Sequence, residues 1–344
     1  MALHLEELGE EWDTKWDTLV TQSPSSGFMQ ASDWQRFRKV EGYEAKRLGL
    51  FKEETLMGGG VLYFYPAHTG SGFLVCPDAP LLDWENTEEA REGLRLLQRY
   101  AEEFAPQVGA IGLRIEPRLP KPKPSLLRNW SRAPIDLLPT QTLFLDLTLT
   151  PDALLAQMHP KGRYNLRLAQ KHGVTVRFSS EMSDLRTFHT LFAETASRHE
   201  FFAEPYGFFL NLGSALFPCQ RAGLLFAEYD GKPLAAILVL FFGRRATYLY
   251  GGSSGLERQI MPNYVLHWEA IRIAKERGCV EYDMYGYEPF GVRSHLYAGF
   301  SRFKKQFGGV YHETIGAHDY IFYDRLADQL VTQLQERREG HETR

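Results

Sequence analysis

The 344 residues of the chain make room for two domains at about 150 residues each. Hydrophobic residues at 44%, charged residues at 24% and a mean hydropathy of −0.33 are those of a soluble globular protein and exclude a disordered one. Lys and Arg number 39 against 43 Asp and Glu, a net charge of −4 that excludes a uniformly basic nucleic-acid coat but leaves room for local basic patches.

In chain order, the acidic amphipathic start MALHLEELGEEWDTKW lacks the basic residues and apolar run of a signal peptide. Residues 48–51 and 61–65 read as two strands, with a turn at 52–54. Leu94, Leu97, Ala101 and Phe104 then recur at helical spacing across 88–105, ahead of Pro106 and Gly109. The strand AIGLRIEP follows, with Ile111, Leu113 and Ile115 alternating against Arg114 and Glu116. Next comes a Pro-rich stretch, 117–139, holding Arg118, Lys121, Lys123, Arg128, Trp130 and Arg132. With Arg114 it reads either as a solvated linker or as a basic, aromatic-bearing track for a phosphate backbone.

The second half opens with the strand LFLDLTL and a helix start, Thr150 as N-cap and Pro151 in the first turn. Pro160 interrupts, and a new helix, KGRYNLRLAQKHG, runs to Gly173. On it Arg163, Arg167 and Lys171 share one face, and no acidic residue stands between Lys161 and Ser180. That stripe is either a solvated face or an anion-binding one. The hairpin LLFAEYDGKPLAAILVLFFG, turning at Asp230-Gly231, parallels the first hairpin. Its apolar run, 234–242, is far shorter than the roughly 18 residues of a membrane span. Leu266, Ala270, Ile273 and Ala274 mark one face of a helix capped by Gly278, and VEYDMYGYEP is a strand in which Tyr282 and Met284 alternate against Glu281 and Asp283. GFSRFKKQFGGV reads as a further strand. One of its lysines either points into an apolar cleft, where it would stabilise an oxyanion or a phosphate, or guards a sheet edge. A helix from about residue 323 would return to the first domain.

Hairpin, helix, strand and a Glu-Pro exit thus occur twice, at Glu116-Pro117 and Glu288-Pro289. The repeat predicts an α/β (α+β) chain of two similar domains, 1–145 and 146–317, with a C-terminal helix in 318–344 on the first. Three dispersed cysteines fit a reducing cytoplasm, and eleven scattered histidines offer no ligand pair. Without a P-loop, a dinucleotide fingerprint, HExxH or GxSxG, neither a metal nor an organic cofactor is expected. The segment ATYLYGGSSGLERQIMPNYVLHWEAI has the strand–loop–helix frame in which acyl-CoA acetyltransferases hold pyrophosphate. Here Pro262 removes a backbone donor and Tyr264 blocks close approach of the backbone.

Taken together and in order, GFMQASDWQRFRKVEG, LRIEP, KGRYNLRLAQKHGV, ETASRHEFFAEPYGFFLNL, YLYGGSS, MPNYVLHWEAIRIAKERGCVEYDMYG and GFSRFKKQFGG resemble the Fem family of peptidoglycan-bridge aminoacyltransferases, from about Gly27 to Gly309. The resemblance implies two tandem acetyltransferase-like (GNAT-type) domains, no cofactor, and no long coiled-coil insertion of the kind some members carry. It implies transfer of Gly, Ala or Ser from aminoacyl-tRNA to the side-chain amine of a stem peptide. The acceptor would be UDP-MurNAc-pentapeptide or a lipid-linked muropeptide, met in the cytoplasm or, with a peripheral membrane contact, at the inner face of the membrane.

Residue by residue, the resemblance puts Lys39, or Arg38 by a one-residue shift, and Arg198 on the acceptor's diphosphate. Tyr206 and Tyr250 fall near the muropeptide, and Lys304, flanked by Phe303 and Lys305, in the FKxxFGG element. Lys304 would stabilise the oxyanion or the leaving oxygen, Glu116 and Asp283 would orient the amine, and Arg163, Arg167 and Lys171 would meet the tRNA. Glu116 stands where many relatives carry Asp, and Phe202 where some place Tyr. A CoA-dependent N-acyltransferase of the same fold, or a non-catalytic binder of tRNA or muropeptide, are the other readings.

Overall fold

The apolar residues spaced at helical intervals after Asn86 form the helix Thr87–Val108, which buries Ala90, Leu94, Leu97, Ala101 and Phe104. Asn86 caps its start by accepting from the Glu89 N–H, and Gly109, at φ 77°, ends it in the left-handed conformation a side chain resists. This helix covers the sheet of the first of two units. The structure, a computed structural model, describes residues 3–67, 71–288, 290 and 298–322. The first unit comprises 1–138 and 314–344, the second 139–313.

In the first unit the strands run in the spatial order Leu3–Glu7, Ala45–Lys52, Thr55–Pro66, Gly72–Pro77, Ala110–Glu116, His318–Ile321 and Ser131–Arg132. Only Gly72–Pro77 and Ala110–Glu116 pair in parallel, as the crossover helix Thr87–Val108 between them requires. The second unit repeats this plan: Thr175–Ser179, Ala222–Tyr229, Lys232–Phe242, Arg245–Ser253, Glu281–Asp283, Gln141–Asp146 and Val310–Glu313. Its parallel pair is Arg245–Ser253 with Glu281–Asp283, and its crossover helix is Pro262–Glu276. The first five strands of each sheet run in the same order with the same single parallel pairing, so the repeat extends to topology; the last two places differ, being filled by His318–Ile321 and Ser131–Arg132 in the first unit and by Gln141–Asp146 and Val310–Glu313 in the second.

They differ at that pairing. In the first unit the parallel strands stay together from Gly72/Ala110 to Pro77/Glu116. In the second they pair only from Arg245/Glu281 to Thr247/Asp283, then part. The cause lies on the other side of the strand, where Val239 pairs with Tyr248 but Leu238 with Tyr250. Leu249 is therefore an extra residue, a bulge that bends the strand away from its parallel neighbour and opens a gap at Asp283.

Three expectations change. The strand Gln141–Asp146 belongs wholly to the second unit, so the units divide at 138/139 instead of 145/146. His318–Ile321 is a strand of the first unit's sheet and not the start of a helix; the helix expected from about residue 323 lies outside the described residues. GFSRFKKQFGG is not a strand: Ala298–Lys304 is an α-helix and Lys305–Phe307 a 3-10 turn. Phe300, Phe303 and Phe307 stand at helical as well as at mixed spacing, and the turn ends at Gly308 and Gly309, φ 83° and 98°. A Cβ at Gly309 would sit 2.6 Å from the Phe144 carbonyl oxygen, so both the backbone angle and the close approach call for glycine there. Among the described residues the longest helix is Thr87–Val108, and it packs on its own sheet, so no coiled-coil insertion is present among them.

Candidate functional site

The gap opened by the Leu249 bulge is filled by a lysine. Lys304, at the end of the helix Ala298–Lys304, is buried, and its ammonium donates to the carbonyl oxygens of Tyr285 and of Gly286, the latter at 2.7 Å. Tyr285 and Gly286 both have left-handed backbones, φ 48° and 58°, which ends the strand Glu281–Asp283 and turns those carbonyls onto the lysine. The Nζ lies 5.3 Å from the Tyr248 ring centre. Burial pushes the Lys304 pKa down to about 7, against the pull of Asp283, which favours the charged form. Asp283, itself fully buried, accepts from the Thr142 hydroxyl and from the Tyr285 N–H at 2.8 Å. Beneath lies His267, 1% exposed, edge-on to Tyr248 with ring centres 4.5 Å apart. Burial and the neighbouring Lys304 drive its pKa down to about 3, so it is neutral, and its Nδ1 has no hydrogen-bond partner. Phe303, by contrast, packs edge-on against Tyr264, His267 and Phe307 and is a packing residue, and Lys305 is exposed.

Tyr248, Thr142 and His267 were not singled out by the sequence. His267 shares a helix face with Tyr264, Ala270 and Ile271, and that position within an apolar stripe is the only signal it gives.

A second cluster is assembled on the helix Leu185–His199. Arg198 Nη2 donates to the Ser253 carbonyl at 2.9 Å and to Thr195 Oγ1 at 3.1 Å, which fixes it against the end of the strand Arg245–Ser253. Tyr250, on that strand, is wedged edge-on among Phe192, Phe208 and Phe209. Tyr206 opens the helix Tyr206–Leu216 and rests on His189, under the Arg186 guanidinium. Phe300, on the same short helix as Lys304, meets His199 at 5.3 Å between ring centres, so one helix connects the two clusters.

The basic stripe of the helix Pro160–Lys171 is only partly available. Arg163 turns back to the carbonyls of Met158, Ala156 and Leu155 and caps the helix Pro151–Gln157, which commits one of its guanidinium nitrogens to the fold. Arg177 is paired with Asp184 and Glu228. Arg167 and Lys171 remain exposed, with Lys161 and Tyr164, the latter 63% exposed. The place where an acetyltransferase would bind pyrophosphate is taken by the chain itself: the Tyr264 hydroxyl is bonded to Gln306 at 3.0 Å, and its ring is packed under Phe303 and Phe307.

In the first unit, Arg38 and Lys39 share the helix Ser32–Val40 but not a setting. Lys39 is exposed. The Arg38 guanidinium lies 3.7 Å above the Tyr43 ring, one Nη donates to the Tyr65 hydroxyl at 3.3 Å, and its Nε is buried without a partner. Glu116, 3% exposed, accepts the N–H groups of Leu137 and Leu138, one on each oxygen, both at 2.8 Å. Burial lifts its pKa to about 7 in spite of those bonds. A carboxylate with both oxygens bonded to main chain is a loop clamp. Glu116→Gln would therefore cost about 2 kcal/mol of stability in a melt, because an amide N–H would face a backbone N–H. Turnover should stay within about threefold of wild type, where loss of a reacting carboxylate would cost about a hundredfold or more.

The basic track of 114–132 is largely taken up within the first unit: Arg114 is paired with Asp319, Arg118 with Asp78 and Arg132 with Asp136, Lys123 is bonded to the Trp130 carbonyl, and Trp130 is 3% exposed, while Lys121 and Arg128 stay exposed. Among the described residues no group of His, Cys, Asp and Glu is arranged to hold a metal ion, and no helix is long and apolar enough to cross a membrane.

The model of the FemAB family matches residues 12–123, and that of a GNAT acetyltransferase domain matches 160–305. The chain is 22% identical over 408 aligned positions to a lipid II:glycine glycyltransferase of Staphylococcus aureus (strain MRSA252), covering 93% of this chain and 94% of that protein. Among solved structures, a crystal structure of FemX matches with a TM-score of 0.83 at 21% identity, covering 94% of this chain and 99% of that one. A tandem GNAT protein from the clavulanic acid biosynthesis pathway matches with a TM-score of 0.58 at 13% identity, covering 93% and 98%. These structural likenesses establish the tandem GNAT-like fold.

Proposed function

The chain belongs to the Fem family, and on that premise we propose that it is an aminoacyltransferase that moves an amino acid, glycine first among glycine, alanine and serine, from aminoacyl-tRNA to the side-chain amine of a lipid-linked peptidoglycan precursor. The observation that carries the reading is Lys304, a buried ammonium held by two carbonyls where the parallel strands of the second unit part.

An aminoacyl ester is already activated, so the step needs no nucleotide hydrolysis. The acceptor amine, having lost a proton, attacks the ester carbonyl, and the carbonyl oxygen becomes an oxyanion in the tetrahedral intermediate. As that collapses, the amide bond forms, the ester C–O bond breaks, and the ribose oxygen leaves and takes up a proton. Lys304 supplies a fixed positive charge to the oxyanion or to the leaving oxygen in a site of low dielectric, where one such donor is worth most. Asp283 favours the charged form of that lysine and offsets part of the lowering by burial. A CoA-dependent acyltransfer is the weaker reading, since Gln306 and Phe303 lie over Tyr264 where the pyrophosphate would rest.

On the acceptor side, Arg38 is the better diphosphate ligand of its pair, because Tyr43 and Tyr65 hold its guanidinium in place and its Nε lacks a partner. Arg38→Ala is expected to raise the KM for the acceptor by about tenfold or more, and Lys39→Ala by less than about threefold, in steady-state assays. The reading as a whole is tested by incubating the protein with lipid-linked muropeptide and charged total tRNA and weighing the product. A mass gain of one amino-acid residue that disappears when the tRNA is uncharged supports it. No gain on either a lipid-linked or a nucleotide-linked acceptor, or a gain from acetyl-CoA alone, overturns it.

A further inference from the structure

Among the described residues, three of the four most exposed large apolar side chains are Phe202, Phe290 and Leu256, at 81%, 74% and 67% exposure. They lie far apart in the sequence, yet contacts within the second unit tie them to one neighbourhood. Phe201, beside Phe202, meets Phe300 at 6.2 Å between ring centres, and Phe300 meets His199. Phe290 donates its N–H to Glu288, whose own N–H is bonded to the Ser301 hydroxyl next to Phe300. Leu256 follows Ser253, the residue that holds Arg198, and Arg258, two residues on, is close enough to His199 to lower its pKa. Arg302, on the helix of Phe300, is exposed as well. Acidic residues stand beside this cluster too: Glu200 and Glu204 flank Phe202, Glu257 is bonded to the Gln259 amide, and Glu288 is buried under Phe290.

Exposed aromatic and aliphatic side chains interleaved with arginines are poorly suited to water and well suited to the boundary between headgroups and acyl chains. Basic side chains there gain from an anionic lipid surface. We propose that Phe202, Leu256 and Phe290, with Arg198, Arg258 and Arg302 around them, form a face that docks the second unit onto an anionic bilayer. The inference rests on the transfer reading for its purpose. A diphosphate esterified to a polyprenyl chain stays at headgroup level, so the arginine that receives it has to reach that level. Arg198 stands inside this face, and docking brings it there without a membrane-spanning segment.

The test is flotation of the full chain with vesicles of phosphatidylcholine alone and with about 30% phosphatidylglycerol, a content that sets an anionic surface potential. The wild-type protein is expected to float with the anionic vesicles. The variant carrying Phe202→Ser, Leu256→Ser and Phe290→Ser is expected to lose about tenfold in partitioning, since binding scales with the apolar area inserted. All three side chains are exposed, so its melting temperature and its turnover on a water-soluble, nucleotide-linked muropeptide should equal those of wild type, while turnover on the lipid-linked acceptor in vesicles falls. Failure of the wild-type chain to float, or flotation of the triple variant equal to wild type, overturns the docking face. Flotation that the substitutions abolish, in a protein that transfers no amino acid to either acceptor, supports the face and removes the transfer reading instead.

Discussion

Lys304→Met is expected to lower kcat by about a thousandfold, close to 4 kcal/mol of transition-state stabilisation, the upper range for loss of a single oxyanion donor. Single-turnover assays at saturating acceptor and charged tRNA would measure it, and near-normal turnover would remove Lys304 from the chemistry. Its pKa of about 7 makes a sharper prediction. The fraction of acceptor amine free to attack rises about tenfold per pH unit below the amine's own pKa, near 10. The fraction of charged Lys304 is constant below about 7 and falls about tenfold per unit above it. Their product, read as kcat/KM, should climb up to about pH 7 and then level off. Lys304→Arg, slower because the guanidinium does not fit the two carbonyls, stays charged and should keep climbing. A wild-type profile that rises without a break through pH 9 would show that the proton on Lys304 is not required.

Asp283→Ala is expected to cost about 3 kcal/mol of unfolding free energy, read in denaturant melts. It removes the carboxylate that offsets a buried ammonium and leaves the Thr142 hydroxyl and the Tyr285 N–H without their acceptor. Loss of one partner of a buried charge pair destabilises more than loss of both, so the double variant with Lys304→Met should recover about half of that cost. Destabilisation of the double variant equal to the sum of the two single variants would mean that the two groups do not interact. The sign with pH follows from the lysine. Its folded pKa lies below its unfolded one, so the folded chain holds fewer protons between about pH 7 and about 10.4. The cost of burying Lys304 is therefore full below pH 7 and fades as pH rises toward 10.4; Asp283 offsets that cost only while the folded lysine is charged, so the lysine-dependent part of the Asp283→Ala destabilisation should be lost as pH rises through about 7.

The repeat was readable because it is written in local signals. Asp230-Gly231 marks one hairpin, Gly109 stands past the end of the first crossover helix and Gly278 caps the second. Side-chain roles were less readable because they depend on what arrives from elsewhere. Strand alternation put Asp283 on the polar side of its strand, but Thr142 from a strand nearly half the chain away and Lys304 from a helix close over it, so that Tyr282, Asp283 and Met284 are all buried. The aromatic residues at 300, 303 and 307 fit helical spacing, yet the alternation of basic and aromatic residues through 302–307 fits a strand equally well. The local sequence does not decide between them; packing of Phe303 and Phe307 on Tyr264 does. Charge clusters misled in one consistent way. Arg114, Arg118, Arg132, Arg163 and Arg177 look unneutralised when neighbours in sequence are counted, but acids and carbonyls distant in sequence, or one turn behind, satisfy them. Arg38 and Lys39 differ by one position on a helix, and only the fold shows which of them has two tyrosines to hold it.

The strand His318–Ile321 carries a consequence for how the chain is made. The edge of Ala110–Glu116 is paired by that strand, and Ser131–Arg132 reaches the sheet only through it. A ribosome releases residues in order, so the first unit emerges early but waits for its sixth strand until the whole of the second has been translated. The second unit, 139–313, is continuous and has all seven of its strands in hand by then. The N-terminal portion is thus the last to close, with an open strand edge as long as translation continues. Arrest of synthesis after residue 313 should yield nascent chains in which the second unit resists protease and the first does not.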